Sequence, residues 1–344
     1  MAPTTSPARI STRKLGRTGI PISVIGFGSA PLGDLYSRLP DEPAIAAVAA
    51  AHAAGITIFD TAPLYGHGLA EHRIGTALRR IPRDSFTLST KVGRYMSPLA
   101  QRVGDSGYVG GFRHAAVFDY SYDGAMRSLE QSLLRLGLER VDVLLIHDVD
   151  KWTHGRDAIE TRFREAMDGA YRALARLREE GTVKAIGVGV NEAEMCARFA
   201  RAGDFDVMML AGRYTLLEQG ALDDFLPLAV EKGIAVLIAG AFNSGILATG
   251  PIHGAHYNYK PAPPAIIERV IRIEAVCRAN GVKLAHAAIA FPFGHPAVTS
   301  VVLGAVHPDE VRANIEAVSI PVPASLWSDL KSEGLLAPHA PAPS

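Results

Sequence analysis

Eight short apolar runs, rich in β-branched residues, recur along nearly the whole chain: Val24–Gly28, Ile56–Asp60, Phe86–Val92, Val141–His147, Val183–Val190, Phe205–Leu210, Ile234–Ala239 and Val298–Leu303. None exceeds eight residues, and most lack polar alternation. A strand with one wet face alternates polar and apolar residues. A continuously apolar strand is buried on both faces, as in a parallel sheet covered by helices. Helix-length amphipathic segments lie between the runs, among them Ala44–Ala54, Tyr122–Leu136 and Phe163–Glu180. In Tyr122–Leu136, Met126, Leu129, Leu133 and Leu136 recur every three or four residues, the spacing of one helix face. Gly55, Gly181 and Gly233 each sit where a helix must stop before the next strand, the position that favours a left-handed residue.

Eight strand–helix units predict an α/β fold of the (β/α)8 TIM-barrel type. A doubly wound open sheet shares the rhythm. The first segment favours the barrel: Arg13–Leu15 and Ile20–Ile22 flank the glycine-bounded turn Gly16–Gly19, a hairpin suited to plugging the bottom of a closed sheet. Of the 344 residues, 12–336 are assigned to this single domain, with a flexible N-terminus (1–11) and a flexible Pro/Ala-rich tail (337–344). Two long stretches, Gly93–Asp119 and Phe242–Pro264, follow the third and seventh strands. Loops at the C-terminal ends of strands build the active face of such barrels.

Composition narrows the partners. Thirty-five basic residues balance thirty-five acidic ones, and no block is strongly basic. Nucleic acid and anionic membrane are therefore not expected partners, and an anionic ligand must be held by a few local groups. The two cysteines, Cys196 and Cys277, read as buried apolar thiols in helices, which excludes a disulfide framework or a cysteine metal centre. No metal site is expected: His253 and His256 lack neighbouring ligands, and His67 and His72 read as solvent-facing. Met1–Ser11 has no apolar core resembling a secretory signal, and no run approaches membrane-spanning length, so a cytoplasmic enzyme is expected.

Polar residues with chemical capacity end three consecutive strands. Asp60 closes the second, Lys91 lies near the end of the third, and His147 closes the fourth. A buried Asp and Lys should pair with each other. Tyr65, five residues beyond Asp60, can fold back towards them. An ammonium beside a phenol favours the phenolate, so the expectation is a tyrosine tuned downward for proton transfer. Taken singly, each residue also reads blandly, as a cap, a turn, a solvated strand end or a core histidine.

The motifs Phe59-Asp60-Thr61-Ala62-Pro63-Leu64-Tyr65-Gly66, Thr90-Lys91-Val92-Gly93 and Leu144-Leu145-Ile146-His147-Asp148, in this order and at these strand ends, resemble the aldo-keto reductases. The resemblance extends from Leu15-Gly16 to the helix around Asn314. It implies that Asp60, Tyr65, Lys91 and His147 form a catalytic tetrad, with Tyr65 exchanging the proton, Lys91 lowering its pKa and His147 orienting the substrate oxygen. It also implies a nicotinamide dinucleotide. Neither Gly26-Phe27-Gly28-Ser29-Ala30-Pro31 nor Gly187-Val188-Gly189-Val190-Asn191-Glu192 completes the Gly-x-Gly-x-x-Gly phosphate turn, so a Rossmann site is not expected. The resemblance instead places the cofactor on Gly28, Ser29, Phe242, Asn243, Ser244, Gly245, Gly304 and Ala305, with Asn314 at the adenine, Asn191 at the carboxamide, and Tyr214 or Phe242 in aromatic contact.

Departures from the commoner pattern carry further expectations. Where many NADP-dependent members have an arginine two residues after the Gly304 equivalent, this chain has Val306 and then His307. Without a guanidinium for the 2′-phosphate, the expected cofactor is NAD rather than NADP, with His307 as a partial substitute. Ala211 stands where a glutamine is common, and Ala239-Gly240-Ala241 where a stacking tyrosine is common. Within the family, Gly212-Arg213-Tyr214-Thr215-Leu216-Leu217, Phe242-Asn243-Ser244-Gly245 and His147-Asp148-Val149-Asp150-Lys151-Trp152-Thr153-His154-Gly155 resemble the D-threo-aldose 1-dehydrogenase (L-fucose dehydrogenase) branch, to which pyridoxal 4-dehydrogenase is also similar. That branch implies oxidation of an aldose at its anomeric carbon to a lactone. Pyridoxal or another hemiacetal or alcohol is the alternative substrate, and a non-catalytic nicotinamide-binding subunit the alternative class. Trp152 is a candidate for stacking on a sugar face beside Tyr65 and His147, with Asp148, Asp150 and His154 as lesser candidates in the same polar stretch.

Overall fold

In the computed structural model, which describes residues 10–100 and 107–343, all eight runs become strands of one closed parallel barrel. They are β1 (Ile25–Gly28), β2 (Ile58–Asp60), β3 (Thr87–Val92), β4 (Val143–His147), β5 (Ala185–Val190), β6 (Val207–Ala211), β7 (Ala235–Ala239) and β8 (Val298–Gly304). Each pairs in parallel with its successor, and β8 closes on β1 with Val301 opposite Ile25 and Gly304 opposite Gly28.

The alternation along β4 shows why the runs are uninterrupted. Val143 and Leu145 join the inner cluster with Ile58, Ala185, Val207, Met209 and Leu237, while Leu144 and Ile146 join the layer under the helices. Both faces are dry, so β4 carries no polar side chain before His147 at its end. The hairpin forms as Thr12–Lys14 paired with Pro21–Ser23. Its Leu15 and Ile22, fully buried, belong to the inner cluster and seal the N-terminal end. Gly16 makes the fit possible. Its φ is +50°, and a Cβ there would lie 2.7 Å from the Gly233 carbonyl oxygen.

Two expectations are corrected, and the polar stretch after Asp148, given no element by the sequence, is helical from Lys151. Its first amides are satisfied from outside: Asp150 Oδ1 accepts from Thr153 N at 2.9 Å, and the Glu192 carboxylate accepts from Lys151 N and Trp152 N, both at 3.1 Å. The helix bends at Gly155 and passes through a wide turn at Ala166–Ala170 before Tyr171–Glu179. The tail expected to be flexible packs on the barrel as far as residue 343: Ala340 is buried, and Ala337 N donates to Gln219 Oε1. Residues 1–9 of the expected flexible N-terminus lie outside the described residues. His67, expected in solvent, is buried, with φ of 54°.

Candidate active site

The chemistry-bearing residues converge at the C-terminal rim. β2 and β3 pair with Asp60 opposite Ser89, and β3 and β4 with Lys91 opposite Leu145, so three adjacent strands deliver Asp60, Lys91 and His147 to one quadrant. Lys91 Nζ donates to Asp60 Oδ2 at 2.6 Å and to the Thr61 carbonyl at 2.8 Å. Both side chains are almost fully buried. Burial lifts the Asp60 carboxyl above its ordinary value, against the opposing pull of Lys91 and Ser89.

Tyr65 returns over this pair through a tight turn: Tyr65 N donates to the Ala62 carbonyl, and Gly66 and His67 are left-handed. The Lys91 ammonium lies 4.8 Å from the centre of the Tyr65 ring, and the His147 ring meets it edge-on at 5.9 Å. The phenol is not tuned downward in this arrangement. Burial pushes its pKa well above the ordinary value, and the Asp60 charge adds to the rise. The expectation weighed the Lys91 charge and left out the burial of the phenol, which is the largest cause of the rise.

His147 is held neutral. Burial lowers its pKa well below the ordinary value, and the Arg94 and Lys91 charges lower it further. Asp148, at φ of 54°, places Oδ2 2.9 Å from Arg94 and Oδ1 3.4 Å from His147 Nε2. Tyr108, buried, stacks at an angle on Tyr65 with ring centres 6.2 Å apart.

A cleft lies at the ends of β5, β6 and β7, lined by Trp152, Asn191, Gly212, Arg213, Ser244 and Tyr259, among others. Of the residues assigned by sequence to a cofactor, Asn191 and Ser244 line it directly. Asn191 Nδ2 is committed to Asp150 Oδ2 at 3.1 Å, which leaves its oxygen with acceptor capacity. Asn243 also lines the cleft, but its side chain ties the β6 and β7 loops together, accepting from Thr215 Oγ1 and donating to the Gly212 carbonyl. Gly28 and Gly304 face each other across β1 and β8, where a Cβ on Gly304 would strike Pro31 at 2.7 Å. Ser29 and Ala305 are buried beside them, His307 is exposed, and Asn314 Nδ2 reaches the Gly304 carbonyl at 3.4 Å.

Three assignments land elsewhere. Tyr214 is fully buried against Phe291 and His295, away from the cleft. Phe242 packs on the core under the β7 loop. Asp150 is fully buried and spent on capping the helix and holding Asn191. Trp152 stands at the cleft mouth, 47% exposed. The sequence reading missed Arg94 and Arg213. Each directly follows a left-handed glycine at a strand end, Gly93 or Gly212, and that placement was the available signal.

The donor set of the cleft suits an anionic dinucleotide. Asn243 and Ser244 on its wall are left-handed (φ 44° and 62°), as is the next residue, Gly245 (φ 104°), and Arg213 supplies a cation.

The sequence profile of the aldo/keto reductase family matches residues 24–333. The chain belongs to that family. Pyridoxal 4-dehydrogenase of Microbacterium luteolum is 41% identical over 337 residues, covering 94% of this chain and 97% of that protein. D-threo-aldose 1-dehydrogenase of a Pseudomonas species is 38% identical over 324 residues, covering 92% and 96%. A holo-form aldo-keto reductase from Bacillus halodurans superimposes with a TM-score of 0.74 at 23% identity, covering 96% of this chain and 97% of that one, a likeness of fold. This aldo-keto reductase is thus an oxidoreductase of a family that works with nicotinamide cofactors. No helix among the described residues is long and apolar enough to cross a membrane.

Proposed function

We propose that this aldo-keto reductase oxidises the anomeric carbon of a cyclic aldose to a lactone, with NAD as hydride acceptor and Tyr65 as the proton acceptor. The observation that carries the reading is the convergence of Tyr65 on both Lys91 and His147 at the C-terminal rim of the barrel. Asn191, Arg213, the Asn243–Gly245 backbone, Gly28, Ser29, Gly304, Ala305 and Asn314 are the groups proposed to hold the dinucleotide. When bound, its nicotinamide supplies the site that takes up the hydride.

The protein's own part is proton transfer and orientation. Neutral His147 donates a hydrogen bond to the anomeric oxygen without carrying charge. Tyr65 accepts the hydroxyl proton as that carbon is oxidised, and returns it in the reverse direction. Asp60 keeps Lys91 fixed against the face of the phenol ring. Trp152 offers a partly exposed indole face to the sugar ring. A panel of L-fucose, D-arabinose, L-galactose, D-galactose and pyridoxal, followed by NADH formation, tests the reading. Turnover of one or more of the aldoses is expected. Turnover of pyridoxal alone would move the assignment to the second reading, which the 41% identical relative favours.

The pH profile follows from the two shifts. Log kcat/KM for oxidation should climb with pH as Tyr65 gains its basic form, with no break near the ordinary histidine value of about 6.5, because His147 is already neutral there. A steady-state series across neutral and alkaline pH checks this, and a clear histidine limb would contradict it.

Cofactor choice gains support from Glu310, whose Oε2 accepts from Val306 N at 2.8 Å. A carboxylate at the residue proposed to lie beside the ribose 2′ position opposes a 2′-phosphate. We expect kcat/KM to favour NAD over NADP by roughly tenfold or more, and the Val306→Arg/Glu310→Gln variant to narrow that preference. An NADP preference in the wild type would refute this.

A further inference from the structure

Arg94 is buried at the end of β3, and its guanidinium does three things at once. One terminal nitrogen, Nη1, lies 2.9 Å from Asp148 Oδ2 and 3.3 Å from His147 Nδ1, while the plane sits 4.3 Å from the centre of the Phe118 ring. A guanidinium only donates hydrogen bonds. The His147 Nδ1 facing it must therefore be the acceptor, which puts the single proton of a neutral imidazole on Nε2. The lowered pKa of His147 agrees with that neutral state. Nε2–H is turned to the side where Asp148 Oδ1 stands, 3.4 Å away.

Asp148 is not placed there by default. Its backbone is left-handed, a conformation an aspartate adopts at a cost. The turn is held by Asp148 N donating to the Gly189 carbonyl at 2.8 Å and by Tyr120 Oη donating to the His147 carbonyl at 2.9 Å. The side chain keeps 13% of its surface open, and Oδ1 is within 3.5 Å of Asn191 Nδ2 at the cleft wall. The site thus presents a neutral donor, His147 Nε2–H, and directly beside it a charged acceptor, Asp148 Oδ1. A ligand satisfying both needs an oxygen that accepts and a neighbouring hydroxyl that donates.

We propose that Arg94 and Asp148 form a subsite that recognises a hydroxyl on the carbon next to the reacting one. The substrate class is then a cyclic hemiacetal with a free adjacent hydroxyl. Arg94 is a positioning residue: it fixes the His147 tautomer and holds the Asp148 carboxylate aimed. Asp148 touches the substrate, accepting from the neighbouring hydroxyl while His147 donates to the reacting oxygen. The proposal rests on the aldose reading given above and specifies which aldoses it admits.

The test compares kcat/KM for L-fucose and 2-deoxy-L-fucose, with NAD, in the wild type and in Asp148→Asn. A charge-assisted hydrogen bond to the 2-hydroxyl predicts a wild-type preference of roughly 10- to 100-fold for L-fucose. In Asp148→Asn that ratio should shrink to a few-fold, because the charged acceptor is gone. The wild-type comparison stands alone if the variant does not fold. Equal kcat/KM for the two sugars in the wild type, or a ratio unchanged in Asp148→Asn, would overturn the subsite and leave aldose oxidation intact. Failure of the wild type to oxidise any aldose would overturn the aldose reading itself, and the subsite with it.

Discussion

Replacing Tyr65 with phenylalanine should lower kcat by about a thousandfold while leaving NAD binding close to the wild-type value. The substitution removes only the hydroxyl. Phenylalanine fills the same space between Tyr108, His147 and the Lys91 ammonium, so the ring contacts at 6.2, 5.9 and 4.8 Å are all available to it. The fold and the cleft at the ends of β5 to β7 do not depend on that oxygen. What disappears is the hydroxyl proposed to take the proton from the substrate, and neither neighbour replaces it: His147 is pinned neutral with its acceptor nitrogen turned to Arg94, and Asp60 is turned to Lys91. Steady-state kinetics and a cofactor-fluorescence titration separate the two effects. Turnover within tenfold of wild type would remove Tyr65 from the proposed mechanism, whereas loss of both turnover and NAD binding would point to collapse of the site.

The second large effect concerns Lys91. Removing one partner of a buried ion pair strands the other charge in a medium that solvates it poorly, at a cost of about 3–5 kcal/mol. Lys91→Met should show that loss as a lowered unfolding midpoint, together with loss of activity. Asp60→Asn/Lys91→Met removes both charges, and should recover much of the stability but none of the turnover. That asymmetry distinguishes a pair kept for chemistry from one kept for packing. If Lys91→Met were as stable as wild type, the pair would not be the coupled, water-excluded unit that its 2.6 Å contact and near-complete burial describe.

The barrel is legible in the sequence because its strands are dry on both faces, which leaves uninterrupted apolar runs and concentrates polar residues at the ends. Asp60, Lys91 and His147 stood out for that reason. What stayed hidden depends on partners remote in sequence. The helical turn at Lys151 looks like polar loop until Glu192, some 40 residues on, reaches back to cap it. Arg94 resembles an ordinary loop arginine until the barrel brings Asp148 and His147 to it. Tyr214 carries no local sign of facing Phe291 and His295 and not the cleft. The downward tuning of Tyr65 failed for a related reason: the burial that raises its pKa, and the Asp60 charge that adds to it, arise only once the strands assemble.

The closure of β8 onto β1 bears on how the chain reaches this state. Arg13 donates to the carbonyl of Val298 across 285 residues of sequence, and the neighbouring ladder joins Ile25 to Val301. During synthesis, β1 to β4 leave the ribosome with Asp60, Lys91 and His147 already in place along the chain. β1 then waits with one edge unpaired until β8 emerges. Loop-closure entropy is lost before that last ladder compensates it, so folding should be slow and late-committing. A chain arrested before Val298 would carry every residue of the Tyr65 quadrant and still lack the closed wall that keeps water from the Asp60–Lys91 pair.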